Sequence, residues 1–326
     1  MCSADLPHTL RLYTEVFGFA DAGGRAFWGP WLGVQALGPD AAALVWWLVG
    51  RQDFVQLEVF HDTTPAQRPL PEDWRPSDHG WVRWGLAVPD FDAALERLRG
   101  MGIATLSEPA ERDGLRRACF RDPDVGVTVE VMEDGAALPG GIRPRHYDLV
   151  PALVYAAVSV PDLDRARAFF VDTLGLAEEP AELLHDDASE ALWGLDDADC
   201  ERFVVSGGDV YIEVVRYDDP PGRPRPPDRS LSDQGLMNLA VGFRERAELE
   251  RLYERIVANG YRPNAELMPG AAGGTYLEDA DGNSFEVLAV PREFDPLFGF
   301  TPGDIFDPHA FWPQPGAPPA AEPSGS

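Results

Sequence analysis

Four glutamates, each inside a short apolar segment, are the residues of this sequence best suited to chemistry. They are Glu58 in 55–60, Glu130 in 127–132, Glu213 in 210–215 and Glu286 in 285–290. A buried polar or charged group without a partner costs several kcal/mol. Burial and a neighbouring like charge also raise the pKa of a carboxyl group towards neutrality, where it can act as a base on a carbon acid. The pattern therefore favours proton transfer by carboxylates that share one space.

The elements that hold these glutamates repeat along the chain. Alternation predicts a β-strand around each glutamate, with the carboxylate on the face opposite its apolar neighbours. Ser-Asp-His-Gly at 77–80 recurs as Ser-Asp-Gln-Gly at 232–235. The acidic segment 122–124 before Glu130 is matched by 279–283 before Glu286. We therefore expect a duplicated chain in which each half contains two related modules.

A complete module reads as a strand, a helix and three further strands, which is an α+β fold class. Asp90 and Asp162 are predicted N-caps of helices with one apolar face. Asn259-Gly260 is predicted to end the last helix, and 281–283 has the composition of a hairpin turn. The sheets are expected to be curved and mixed, with the helices outside.

The strands that precede the helices carry small residues on one face, among them Gly85, Ala157, Ser159 and Ala240. Small residues on a concave sheet leave space for a ligand. The alternative is an ordinary sheet face exposed to water.

Composition excludes several classes of function. The 27 basic and 55 acidic residues give a formal net charge of −28, which argues against nucleic acid or an anionic membrane as a partner. The three cysteines have no metal or redox spacing, so a reducing cytoplasm is expected. No segment resembles a signal peptide or a membrane span. A small-molecule ligand is the expected partner, and self-association stays open.

The motifs "PDLDRARAFFVDTLGL", "SDHGWVRWGLAVPDFDAALERLRGMGI" and "EDADGNSFEVLAV" resemble the vicinal oxygen chelate superfamily. That superfamily includes glyoxalase I, methylmalonyl-CoA epimerase, extradiol dioxygenases and bleomycin-resistance proteins. The resemblance covers about residues 4–291 and implies that two modules curl into a cup.

The resemblance also implies a division of the chain. Residues 1–134 form a first, degenerate domain, 135–150 a linker and 151–293 a second domain that carries the site. Residues 294–326 are expected to form an aromatic extension packed on the body, followed by a Pro-rich disordered tail.

In such a cup, ligand positions lie at the start of the first strand and in the middle of the last strand of each module. The resemblance therefore points to Tyr155, Glu213, Asn238 and Glu286 in the second half. In the first half it points to Glu58, Arg83 and Glu130, and the counterpart of Tyr155 falls before Met1.

These positions lack the histidines of an extradiol dioxygenase, and an arginine at one of them repels cations. Arg83 is expected to neutralise Glu58 or Glu130. We interpret Glu213, Glu286 and Tyr155 as catalytic. Asn238, Ser159 and Tyr211 are interpreted as substrate-binding residues. No cofactor is expected; if a divalent metal binds, its ligands would be Glu213, Glu286, Tyr155 and Asn238.

Three hypotheses follow. The chain is an isomerase, epimerase, cyclase or lyase that uses carboxylates on an oxygenated metabolite, or a binding protein that sequesters a ligand, or a metal-dependent dioxygenase. The first expectation is that consecutive modules pair, so that Glu213 and Glu286 share a cup. In the alternative, module 1 pairs with module 4 and module 2 with module 3, and Glu286 faces Glu58.

Overall fold

The computed structural model describes residues 1–135, 151–186, 189–267 and 269–303, and it contains four related modules. Module 1 contains α1 (Leu6–Arg11), β1 (Ala20–Trp28), β2 (Ala42–Val49) and β3 (Gln56–Thr64). Module 2 contains β4 (Gly80–Val88), α2 (Phe91–Gly100), β5 (Ala110–Arg112), β6 (Leu115–Arg121) and β7 (Thr128–Glu133). The expected linker, apart from residue 135, and the Pro-rich tail lie outside the described residues.

The second half repeats this order. Module 3 contains β8 (Ala152–Ser159), α3 (Leu163–Arg167), β9 (Ala177–Glu179), α4 (Ser189–Leu192), β10 (Asp199–Ser206) and β11 (Tyr211–Asp219). Module 4 contains β12 (Asn238–Phe243), α5 (Arg246–Ala258), β13 (Gly273–Glu278) and β14 (Ser284–Ala289). Single π-helical segments continue α1 and α3, over Leu12–Val16 and Ala168–Thr173. Short 3₁₀ segments cover Gly29–Gln35, Ala181–Leu183 and Arg292–Phe294.

The predicted helix and turn signals are confirmed. The Asp90 carboxylate accepts a hydrogen bond from the Ala93 amide, and Asp162 accepts one from Arg165, both at 3.0 Å. α5 ends at Ala258, and Gly260 after it has a φ of +88°, a conformation that glycine adopts without strain. The apolar faces of the helices pack on one side of the sheets, which leaves the other side free to form cups.

Modules 2 and 3 share one sheet. Its strand order is β5-β6-β7-β4-β8-β11-β10-β9, with β4 and β8 antiparallel at the junction. Within each module the first and last strands are parallel. We call the concave side of this eight-stranded sheet the inner cup.

Modules 1 and 4 form two three-stranded sheets, β1-β2-β3 and β12-β14-β13. Cys2 joins them, since it pairs in parallel with Phe60 of β3 and antiparallel with Gly235 just before β12. Cys2 thus occupies the place of a leading strand in module 1. We call the space between these two sheets the outer cup.

The expectation that consecutive modules pair is therefore wrong, and the alternative is confirmed. The physical reason is that β4 and β8 pair with each other along their length, so modules 2 and 3 close one sheet. Each cup takes one module from each half of the chain.

The aromatic extension packs on the body as far as residue 303, as expected. Phe300 lies 4.6 Å from Phe54 between ring centroids, and the Gly303 amide donates to the carbonyl of Asp21 at 2.7 Å. Phe306 and Phe311, which belonged to the same expectation, lie outside the described residues. Within the described ranges, no helix combines the length and apolar character needed to cross a bilayer.

Candidate functional site

The outer cup holds a cavity of about 460 Å³ into which two of the four strand-centre glutamates project. Glu58 comes from β3 and Glu286 from β14, and Asn238 at the start of β12 also lines the space. The walls are largely apolar and include Phe54, Leu57, Val241, Leu288 and Phe300. Arg244 also lines the cavity, and residues of β8 and β11 in the eight-stranded sheet close one side of it. The cavity is thus a mostly apolar site with a few convergent polar groups, which is typical of small-molecule sites.

Glu58 is held by its neighbour across the sheet. Trp47 lies opposite it in the β2–β3 register, and the Trp47 indole donates to Glu58 Oε1 at 2.9 Å. Burial raises the pKa of Glu58, and this hydrogen bond offsets part of the effect. The amino group of Met1 donates to the main-chain oxygen of Glu58 at 2.7 Å.

Glu286 has a still more perturbed carboxyl group. Burial, together with the charge of Glu58, raises the pKa of Glu286 to about 8, against a smaller opposing effect of a hydrogen bond with Tyr276. Tyr276 lies opposite Glu286 in the β13–β14 register, and its hydroxyl also accepts from the Gln35 amide at 3.2 Å. At neutral pH the Glu286 carboxyl therefore holds a proton that it can donate, and its conjugate base can accept one.

No arginine or histidine side chain pairs with these two carboxylates among the described residues, although the charge of the Met1 amino group lowers the pKa of Glu58. None of the salt bridges found there involves Glu58 or Glu286. This is the condition that keeps their pKa values high.

In the inner cup, the glutamates at the same strand position are paired with arginines. Arg83 of β4 pairs with Glu213 of β11, and Arg117 of β6 pairs with Glu130 of β7. All four side chains are buried, and the Arg83 guanidinium stacks 3.5 Å from the centroid of the Trp193 ring. Burial raises the pKa of Glu213, but the charges of Arg83 and His185 outweigh it and lower the pKa to about 2.

His185 completes the inner network and was missed by the sequence analysis. It enters the cup from the loop after Ala181–Leu183, so the strand positions that guided the prediction do not include it. Its Nδ1 bonds to Glu213 Oε1 at 2.7 Å, and its Nε2 bonds to Glu190. Burial alone lowers the pKa of His185, but Glu213 and bonds to Cys200 and Glu190 raise it to about 10. Its sequence signal was weak, namely a histidine directly after the apolar pair Leu183-Leu184.

Comparison with known proteins agrees with this architecture. The family model described as "Glyoxalase/Bleomycin resistance protein/Dioxygenase superfamily" matches residues 1–131 and 152–287. The chain belongs to this superfamily. A search of curated proteins finds no match.

Solved structures of the superfamily share the two-cup fold at low sequence identity. A proposed dioxygenase from Bacillus subtilis matches with a TM-score of 0.61 at 12% identity, covering 94% of this chain and 89% of the other. Glyoxalase I from Zea mays matches with a TM-score of 0.55 at 15% identity, covering 92% of each chain. At these identities the likeness shows the fold alone.

The site residues that were predicted from the sequence are divided between the two cups. Tyr155, Glu213, Tyr211 and Ser159 belong to the sheet of the inner cup, whereas Asn238 and Glu286 line the outer cup. Tyr155 also borders the cavity of the outer cup, although its hydroxyl bonds to Glu130. The prediction that Glu213 and Glu286 share one cup is wrong, because β11 and β14 lie in different sheets.

Several inner-cup groups already have protein partners. The Tyr155 hydroxyl donates to Glu130, and the Ser159 hydroxyl donates to the Ser77 carbonyl at 2.8 Å. The prediction that Arg83 neutralises Glu58 or Glu130 is also wrong, because Arg83 pairs with Glu213. Glu58, which the sequence assigned to a degenerate domain, instead lies beside Glu286.

The donor atoms of the outer cup do not fit a histidine-based metal centre. Glu58, Glu286 and Asn238 offer oxygen atoms, whereas zinc and ferrous sites normally include imidazole or thiolate. In the described part of the chain, no third histidine, cysteine or acidic residue forms a ligand group with the two glutamates. The residues predicted as ligands if a divalent metal binds are divided between two sheets: Tyr155 and Glu213 lie in one, and Asn238 and Glu286 in the other.

Proposed function

We propose that this superfamily member is an enzyme that moves a proton on a small oxygenated organic molecule bound in the outer cup. The observation that carries the proposal is the buried pair Glu58 and Glu286, which forms no salt bridge with an arginine in the described residues, in a largely apolar cavity and with a pKa of about 8 at Glu286. A general acid or base works best when its pKa lies near the working pH.

The two carboxylates have complementary roles. Glu286 holds a proton and acts as the acid, while Glu58, fixed by Trp47, acts as the base. A base on one side of a substrate carbon and an acid on the carbonyl side together allow an enol to form. Isomerisation, epimerisation, cyclisation and β-elimination all begin with such a step.

The remaining groups would orient the substrate. Asn238 offers an amide that can donate to a substrate carbonyl, and Phe54 and Phe300 supply an apolar wall. The cavity volume of about 460 Å³ suits a metabolite-sized ligand.

Exchange with solvent deuterium tests the proposal without knowledge of the natural substrate. The protein is incubated in D₂O with a panel of 2-hydroxy ketones, 2-oxo acids and acyl thioesters, and carbon-bound deuterium is followed by NMR. Exchange at a carbon next to a carbonyl is expected with the native protein, and Glu286→Gln and Glu58→Gln should abolish it. Glu254→Gln, on the exposed face of α5, is the matched control and should exchange normally.

The alternative is a sequestering protein, which binds a ligand without chemistry. Tight binding of a panel member, with neither exchange nor turnover, would contradict the enzyme proposal and favour sequestration. Loss of binding in the Gln variants would then assign the carboxylates to ligand contact.

A further inference from the structure

A second cluster of reactive side chains lies in the inner cup, apart from the strand positions considered so far. His185 Nε2, Glu190 Oε1 and Cys200 Sγ lie within 4.8 Å of one another. The Cys200 sulfur is 3.3 Å from Glu190 Oε1 and 3.9 Å from His185 Nε2. The imidazole and carboxylate are buried, and Cys200 is half-buried at the side facing solvent.

One oxygen of the carboxylate in this cluster has no hydrogen-bond partner. Glu190 Oε2 is buried and has no hydrogen-bond partner, although the Glu190 side chain is only 4% exposed. A buried carboxylate oxygen without a donor is costly unless a cation occupies the space beside it.

His185 is also oriented as a metal-binding histidine would be, although its Nε2, which bonds to Glu190, must lose its proton before an ion can bind. Its other ring nitrogen, Nδ1, contacts Glu213 Oε1 at 2.7 Å. In metal sites the second nitrogen of a ligating histidine almost always bonds to a carboxylate, a carbonyl or water, which fixes the tautomer and the ring plane. Glu213 of β11 is itself paired with Arg83 of β4, so residues of two strands fix the position of the His185 ring.

We propose that His185 Nε2, the Glu190 carboxylate and Cys200 Sγ bind a transition-metal ion of the zinc class, with Glu213 as the orienting partner of His185. Nitrogen, oxygen and sulfur donors together suit Zn²⁺ and Co²⁺ and do not suit Mg²⁺ or Ca²⁺. Three protein ligands leave a fourth position for water on the half-buried side of Cys200.

The charge balance of the surroundings supports this assignment. A divalent ion would be neutralised by the Glu190 carboxylate and a Cys200 thiolate. Arg202 Nη1 donates a hydrogen bond to the Cys200 sulfur at 3.6 Å. The ion would connect β10 to the loop of His185 and to α4, and it would not touch the outer cup.

Metal binding to the full chain tests the proposal. Protein stripped with chelator is titrated with Co²⁺, and a thiolate-to-cobalt charge-transfer band is followed in the near ultraviolet. One equivalent of Co²⁺ should saturate the band, and Zn²⁺ should displace it. Cys200→Ser should abolish the band, and Glu190→Gln should weaken Zn²⁺ binding measured by equilibrium dialysis. Glu213→Gln should weaken Zn²⁺ binding by about ten- to a hundredfold, the usual effect of removing an orienting partner.

Two control variants separate this site from the other thiols and carboxylates of the chain. Cys119→Ala removes the other buried thiol of the inner cup and should leave the band unchanged. Glu286→Gln alters the outer cup and should also leave it unchanged, so a failed enzyme proposal does not affect this result. Absence of the band in the native protein, or stoichiometric Zn²⁺ binding that survives Cys200→Ser and Glu190→Gln, would overturn the proposal.

Discussion

The inner and outer cups place glutamates at the same point of the module, yet only the inner pair is neutralised. Glu130 and Glu213 meet arginines and are buried ion pairs. Glu58 and Glu286 meet an indole, a phenol and each other. One cup has become a closed polar core, and the other keeps the uncompensated carboxylates that acid–base chemistry needs.

A single position in the hairpin before each glutamate helps to account for this difference. Cys119, Val204, Tyr276 and Trp47 lie directly opposite the four glutamates. Two residues before each of them, the inner modules carry Arg117 and Arg202, whereas the outer modules carry Gly274 and Val45. Similar modules can thus give a core or a site, depending on which side chains surround the glutamate.

The largest effect is expected from breaking the inner ion pair. Arg83→Ala leaves Glu213 charged and buried without its guanidinium, so the free energy of unfolding should fall by about 3–5 kcal/mol. Urea unfolding measures this. Arg216→Ala, which breaks an ion pair at the surface, should cost less than about 1 kcal/mol. Equal effects of the two substitutions would contradict the view that the inner cup depends on its charge pairs.

The outer cup should respond to pH in the direction set by a raised carboxyl pKa. The pKa of Glu286 in the folded chain is about 8, above its ordinary value of 4.5, so the folded state holds a proton that the unfolded state releases. Stability should be greatest below pH 4.5 as far as this group is concerned and should fall as pH rises towards 8. Glu286→Gln should remove about 2 kcal/mol of this fall, allowing for partial access of solvent to the cavity.

Chemical denaturation at intervals from pH 5 to pH 9 gives the comparison. A native protein whose pH dependence over that range matches Glu286→Gln would show that Glu286 is not protonated at neutral pH. Arg83→Ala, by contrast, should be destabilised across this range, because the pKa of Glu213 lies at about 2 in the paired state.

A smaller effect is expected from the partner of Glu286. Tyr276→Phe removes the hydrogen bond that lowers the pKa of this carboxyl, so the midpoint of the pH-dependent stability loss should move upward. The stability cost should be about 1 kcal/mol, since one hydrogen bond is lost. If deuterium exchange depends on the same carboxyl, its pH profile should move in the same direction. A downward shift would exclude the assigned role of Tyr276.

The last prediction concerns the apolar wall of the cavity. Phe300→Ala removes one ring of the pair with Phe54 and should weaken ligand binding by about 1 kcal/mol. Isothermal titration with a ligand found in the exchange panel measures the change. The solvent deuterium exchange rate at saturation should stay within about twofold, because the carboxylates are untouched. A large loss of rate with unchanged affinity would place Phe300 in the chemistry instead.

The sequence predicted the module, its helices and the four glutamates because these depend on local periodicity and capping. The sequence could not decide which modules share a sheet, because the periodicity of β4 and β8 does not show which strand pairs with each of them. It therefore placed Glu286 beside Glu213 instead of Glu58. His185 was missed for a different reason, since a loop residue that folds back into a cup has no periodic signal.

Cys2 is paired both with β3 and with the segment that leads into β12, so the outer cup closes only when distant parts of the chain meet. During synthesis, modules 2 and 3 can complete their shared sheet while β12–β14 are still inside the ribosome. The paired glutamates of the cavity come together last, after the slow closure of a long-range contact. A chain interrupted before β14 would thus lack Glu286 and the wall that Leu288 gives the cavity.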